Sequence, residues 1–166
     1  TTKKNITIVN DDLSLLDTPI YNALTGGASK LEGKTWVFDQ YQAAHFGVFP
    51  DNNAWSWYAG PNVKEGSSLY TQEFTFIQVG VKMKWKNNGY VYTNSFGVAA
   101  LAKLGYTHAV ATPVDDYDVE YAPKAEYTFL MNELDMTITL SDGAFFGHYA
   151  GTSTYKIIKL TDDVLE

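Results

Sequence analysis

The stretch LYTQEFTFIQVGVKMKWKNNGYVY (residues 69–92) decides the fold. Glu73, Thr75 and Ile77 alternate with Phe74, Phe76 and Gln78. Val79, Val81, Met83 and Trp85 then share one face, and Lys82, Lys84 and Lys86 the other. Side chains on an extended chain project alternately to opposite sides, so a period of two marks strands with one wet face and one core face. The lysines mark the wet face. Asn87-Asn88-Gly89 follows as a hairpin-turn signal, because Asn and Gly tolerate positive φ. Tyr90-Val91-Tyr92 reads as the returning strand.

The pattern continues outward from this stretch. Thr35–Phe38 and His45–Phe49 read as strands, and 50–69 as a long loop rich in turn formers. Toward the C-terminus, Tyr127–Leu130, Leu134–Leu140, Ala144–Tyr149 and Tyr155–Leu160 read as four strands, with Ser141-Asp142-Gly143 as a turn. Before residue 97 the one helix candidate runs from an Asp12 cap through Leu13, Leu16, Ile20 and Leu24 to Gly26-Gly27, with Pro19 restricting its regularity. Ser95–Leu104 fits a short helix or a loop. Many short strands separated by turns predict an all-β fold, an antiparallel β-sandwich with one short N-terminal helix.

Composition bounds the function. The 166 residues suit a single domain spanning 1–166 with a full core. There is no cysteine, which excludes disulfides, thiolate metal sites and a cysteine nucleophile. All twelve cationic side chains are lysine, against nineteen acidic ones, for a net charge of −7. That balance repels phosphate backbones, so no nucleic-acid partner is expected. The absence of arginine removes the planar fork suited to phosphate and carboxylate. A neutral or cationic ligand is favoured. No apolar run is long enough to span a membrane. Thr1 in place of Met reads as the start of a processed or excised piece.

The segment HFGVFPDNNAWSWYAGPNVK (45–64) carries the strongest functional signal. Trp55, Trp57 and Tyr58 lie among turn formers, where large rings are hard to bury. An aromatic ring offers a flat apolar face, and indole and phenol add a polar handle. Those properties suit stacking on the C–H face of a sugar. Asp51, Asn52, Asn53 and Asn62 supply acceptors and planar amides for hydroxyls. Lys64 closes the segment and has two readings: a donor to a sugar hydroxyl, or a cation lying over an indole. Trp36 and Trp85 are strand-embedded and read as core.

These segments resemble the glycan-binding domains of Bacteroidetes surface proteins encoded in polysaccharide utilisation loci, where such domains often follow PKD-type modules. The resemblance is carried by Leu24–Lys30, Lys34–Asp39, His45–Val48, the aromatic segment ending at Pro61–Lys64, Leu69–Phe76 and the closing run Leu140–Asp163. It covers about residues 20–93 and 134–164. The chain departs from the family pattern at Phe49, Thr71 and Gln72, where a glycine and an acidic pair are expected. The resemblance implies a jelly-roll, laminarinase- or concanavalin-like sandwich without catalysis, and a neutral polysaccharide as ligand, a β-1,3-glucan of laminarin type foremost. It implies a monomeric module of a larger surface lipoprotein, on the extracellular face of the outer membrane or secreted. The carbohydrate-binding residues are then Trp55, Trp57, Tyr58, Asp51, Asn53 and Lys64, with no catalytic and no metal-binding residue assigned.

Two other constellations remain. Glu133 and Asp135, read as neighbours on one strand face, are similar to the laminarinase-type glycosidase signature, with Thr137 where a further glutamate would stand. A glycoside hydrolase is the alternative they support; a protein-interaction spacer is a third. Asp115, Asp116, Asp118 and Glu120 are rich in the oxygens calcium takes, but lack an EF-hand's glycine and terminal glutamate. No cofactor is assigned, and a structural calcium is left open. His45, His108 and His148 have no metal-ligand spacing and read as structural.

Overall fold

A computed structural model describes residues 13–48 and 57–166. Its strands, in chain order, are β1 (Lys34–Val37), β2 (Gly47–Val48), β3 (Trp57–Tyr58), β4 (Glu73–Ile77), β5 (Lys82–Lys86), β6 (Tyr90–Thr93), β7 (Ala109–Ala111), β8 (Tyr117–Glu120), β9 (Tyr127–Asn132), β10 (Thr137–Leu140) and β11 (Thr154–Lys156). Two short α-helices, α1 (Pro19–Thr25) and α2 (Ser95–Lys103), and two single 3-10 turns at Leu13–Leu16 and Ser68–Thr71 complete the regular structure of the described residues. A six-stranded sheet has the order β1-β4-β5-β9-β10-β11, a three-stranded sheet the order β6-β8-β7, and β2-β3 form a two-stranded ribbon. All strand pairs are antiparallel. The fold is all-β and sandwich-like, as the alternating pattern requires; of the two readings of Ser95–Leu104, a helix or a loop, the helix is the one present, in addition to the N-terminal helix.

One core joins the layers. Phe74, Phe76, Met83, Trp85, Tyr127, Phe129, Met131, Ile138 and Leu140 come from the inner face of the large sheet. Val91, Val119, Leu101, Leu24 and Phe145 close over them from the small sheet, the helices and the chain after β10. The lysines of β5 face outward as expected: Lys86 pairs with Glu73 and Lys82 with Glu126, each at 3.0 Å.

Several boundaries differ from the sequence reading. Helix α1 is capped by Thr18, whose hydroxyl accepts from Tyr21 N at 3.2 Å, and Asp12, the expected cap, lies outside the described residues. Pro19 then occupies the first helical position, where a missing N–H costs nothing. Val79 and Val81 lie in the turn between β4 and β5, not on the Met83–Trp85 face. The Asn87-Asn88-Gly89 turn does not return the chain beside β5. The Asn87 side chain accepts from Gly89 N and donates to Tyr90 O and Tyr121 O, which steers β6 to β8 in the small sheet. Ala144–Tyr149 is not a strand, apart from an isolated bridge between Tyr92 and His148. Its apolar residues are satisfied instead by packing Phe145 edge-on to Trp85 at 4.8 Å. Helix α2, capped by Asn94 Oδ1 on Gly97 N, needs glycine at 97 because a Cβ there would fall 1.7 Å from Thr93 Oγ1.

Among the described residues, no helix is long and apolar enough to cross a membrane.

Candidate functional site

The aromatic segment is not all loop. Trp57 and Tyr58 form β3 and pair with β2 in the register Gly47↔Tyr58 and Val48↔Trp57. Two backbone bonds extend this ribbon, Ala44 N to Ala59 O at 2.8 Å and Ala59 N to Phe46 O at 2.7 Å. Asp51, Asn52, Asn53 and Trp55 lie outside the described residues. Consecutive strand residues project to opposite faces, so Trp57 and Tyr58 do not offer their rings on one surface. Both are substantially exposed, at 41% and 54%.

Beneath the ribbon the chain doubles back through Gly60–Ser67. Asn62 takes a left-handed conformation and its N–H bonds Gln40 O at 2.7 Å; Glu65 N bonds Asn62 O at 2.9 Å. These turns deliver Lys64 under Trp57. Lys64 is 6% exposed. Its ammonium donates to Val114 O at 3.0 Å and stands 3.9 Å from an Asp116 oxygen. It lies 5.3 Å from the centre of the Trp57 ring and 5.2 Å from that of Tyr92. A buried ammonium needs compensation; here a carbonyl, a carboxylate and two aromatic faces supply it. The cation-over-indole reading of Lys64 is the one that the geometry displays.

The support extends further. Tyr92 is fully buried, and its phenol donates to Asp116 Oδ2 at 2.9 Å. Burial, with Asp116 adding to it, raises the phenol pKa far above its ordinary value. Phe46 sits edge-on to Trp57 (6.2 Å) and Tyr92 (6.1 Å) and over His148 (5.1 Å). Desolvation lowers the His148 pKa; Asp116 opposes that shift and Lys64 reinforces it. Next to this group, the Tyr70 hydroxyl meets His45 Nε2 at 2.8 Å and accepts from Lys64 N at 3.2 Å. His45 is thus held structurally, as read. Sequence reasoning did not single out Phe46 or Tyr92 for this site. Both look like ordinary strand aromatics, and the contacts that gather them are long-range.

The acidic run does not converge. Asp115 and Asp116 occupy left-handed positions in the β7–β8 turn, which is closed by Thr112 N on Asp116 O at 3.1 Å. Asp116 turns to Tyr92, Asp118 accepts from the Ser68 amide and hydroxyl, and Glu120 meets His108 at 2.9 Å. Among the described residues, no group of three or more metal-ligating side chains is gathered.

Glu133 and Asp135 lie in the β9–β10 turn, not on a strand, because the strand expected from Leu134 starts only at Thr137. Glu133 accepts from the Thr18 hydroxyl at the cap of α1. Asp135 accepts from Asn132 Nδ2 at 2.8 Å. The shared strand face on which their pairing rested does not exist. No protein-family model matches the chain, and no curated protein matches it in sequence.

Proposed function

We propose that this chain is a non-catalytic module that binds a neutral polysaccharide, of β-glucan type, on the β2–β3 ribbon. The observation that carries the reading is Trp57. Its indole is 41% exposed, yet it is fixed by Phe46 at its edge and by the Lys64 ammonium near its ring. An aromatic that is both open and held in place has little rotamer freedom left to lose when it stacks on a ring.

Trp57 supplies the principal stacking face, and Tyr58 a second ring on the other side of the ribbon. Lys64 acts from below as a support, with its ammonium directed to Val114, Asp116 and the rings. Trp55, Asp51 and Asn53 belong to the segment that joins β2 to β3, and so are tethered to the same ribbon by the chain. The resemblance of residues 20–93 and 134–164 to surface glycan-binding domains supports the same ligand class and an extracellular setting. Affinity is modest on this reading: a Kd of about 0.1–1 mM corresponds to roughly −4 to −5.5 kcal/mol. One aromatic stack contributes about 0.5–1.5 kcal/mol beyond area burial.

Affinity gel electrophoresis against laminarin, mixed-linkage glucan, xyloglucan, chitosan and a pectin tests the proposal. Retardation by a neutral β-glucan, lost in Trp57→Ala, is the expected result. Failure to be retarded by any of them overturns it and leaves the ribbon as a protein-docking surface.

A further inference from the structure

The large sheet ends at β1, which pairs only with β4. A groove of about 680 Å³ opens along β1 and the residues after it, with Tyr70, Thr71 and Glu73 on its β4 side and Asp162 and Asp163 of the C-terminal run also in its lining. Exposed sheet edges in natural proteins are guarded by outward lysines, prolines or bulges, because unpaired backbone groups template a further strand. This edge is short, four residues, and it carries neither a proline nor an outward lysine. No proline occurs in 34–41. Its one lysine, Lys34, turns inward: the ammonium donates to Ala23 O at 2.8 Å and lies 4.5 Å from the Trp36 ring centre. Val37 and Tyr41 on the groove wall are left 61% and 72% exposed.

We propose that this groove takes an extended, lysine- or arginine-bearing segment of a partner protein, added as a strand to the β1 edge. Charge sets the chemistry of the occupant. Asp39, Asp162 and Asp163 line the groove, and among the described residues none of them is ion-paired. Side chains two apart on a strand repeat at about 6.8 Å on one side. Basic residues at alternate positions of the added strand share one side, where the carboxylates of the lining can pair with them. The inward Lys34 over Trp36 illustrates the cation–aromatic contact available along this wall. The proposal is independent of the glycan reading, since the groove and the Trp57 ribbon share no residue.

The test uses the full chain and a fluorescein-labelled peptide of sequence KVKTKVK. Expected are saturable binding, amide NMR shifts concentrated at Thr35–Phe38, and binding about fivefold weaker in an Asp162→Asn, Asp163→Asn double variant. Both substitutions are on exposed side chains and leave the fold intact. The charge-reversed peptide EVETEVE should not bind, and Trp57→Ala should bind KVKTKVK as the wild type does. Equal binding of a KVKTKVK peptide N-methylated at alternate backbone nitrogens overturns strand addition, because such a peptide cannot pair with the edge. Absence of binding, or shifts that avoid Thr35–Phe38, overturns the groove itself.

Discussion

The Lys64 ammonium lies 5.3 Å from the centre of the Trp57 ring, with its side chain only 8% exposed. A cation in that position holds the indole from one side. The pair also links the ribbon to the small sheet, because the same ammonium faces Tyr92 and Asp116. Loss of the charge should therefore affect stability and binding together.

Lys64→Met keeps the aliphatic stem and removes the cation. Val114 O loses its donor, and Asp116 keeps only the Tyr92 hydroxyl. Breaking a fully buried pair costs about 3–5 kcal/mol. The Asp116 side chain is 36% exposed, so water relieves part of that loss, and about 1–2 kcal/mol is expected. Urea denaturation measures it. In a double-mutant cycle, Asp116→Asn should cost less in the Lys64→Met background than alone; additive losses would show that the two do not interact.

Trp57 and Tyr58 separate the contributions of the two ribbon faces. Trp57→Ala should weaken β-glucan retardation about tenfold while lowering stability by only about 1 kcal/mol, the worth of a half-exposed cation–π and edge contact. Tyr58→Ala, on the opposite face, should weaken retardation by less than about threefold, because a single glycan chain stacks on one face at a time. Equal losses in the two variants would mean that the ligand grips both sides of the ribbon.

The alternating pattern located the strands that build the core, because burial on one face imposes a period of two. β4, β5 and β9 lie where alternation put them, and Trp85 points inward as its parity requires. Partners were not legible in the same way. Asn87 sends β6 to another sheet through two carbonyls, one of them 34 residues away, and no local pattern encodes Tyr121 O. The Ala144–Tyr149 run has the apolar content of a strand but spends it on packing, with glycine at 147 because a Cβ there would meet the Gln72 side chain at 2.5 Å. At the site, the large rings marked the ribbon, whereas Phe46, Tyr92 and His148 came together only through folding.

Gln72 gives a second stability prediction. It is fully buried, donates to Ser68 O at 2.7 Å and Tyr90 O at 2.9 Å, and accepts from Trp85 Nε1 at 2.8 Å. A carboxylate in this place could not donate to two carbonyls. Gln72→Leu fills nearly the same volume, strands the buried Trp85 indole N–H at about 1–3 kcal/mol, and removes one of two donors from each carbonyl, Ser68 O keeping the Thr71 hydroxyl and Tyr90 O the Asn87 amide. A total loss of about 3 kcal/mol is expected in urea denaturation. Gln72→Glu should be comparably destabilising near neutral pH, and a mild effect would mean that the site admits water.

His148 makes the ribbon sensitive to pH. Its imidazole is packed by Phe46 and Tyr92, and the charged groups near it are Asp116 and Lys64. Desolvation holds its pKa below the ordinary value of 6.5, with Asp116 pulling up and Lys64 pushing down. Above that value the ring is neutral folded or unfolded, and nothing is lost. As the pH falls below 6.5, the unfolded chain takes the proton before the folded one does, so stability falls until the folded pKa is passed and then levels. Most carboxylates titrate lower, so the interval from about pH 7.5 to 5.5 isolates the imidazoles. Wild type should lose stability across it, and His148→Gln should lose measurably less. Because Phe46 lies over this imidazole and braces Trp57, β-glucan retardation should weaken over the same interval in wild type only. A His148→Gln chain with the wild-type slope in both measurements would remove His148 from the support of the ribbon.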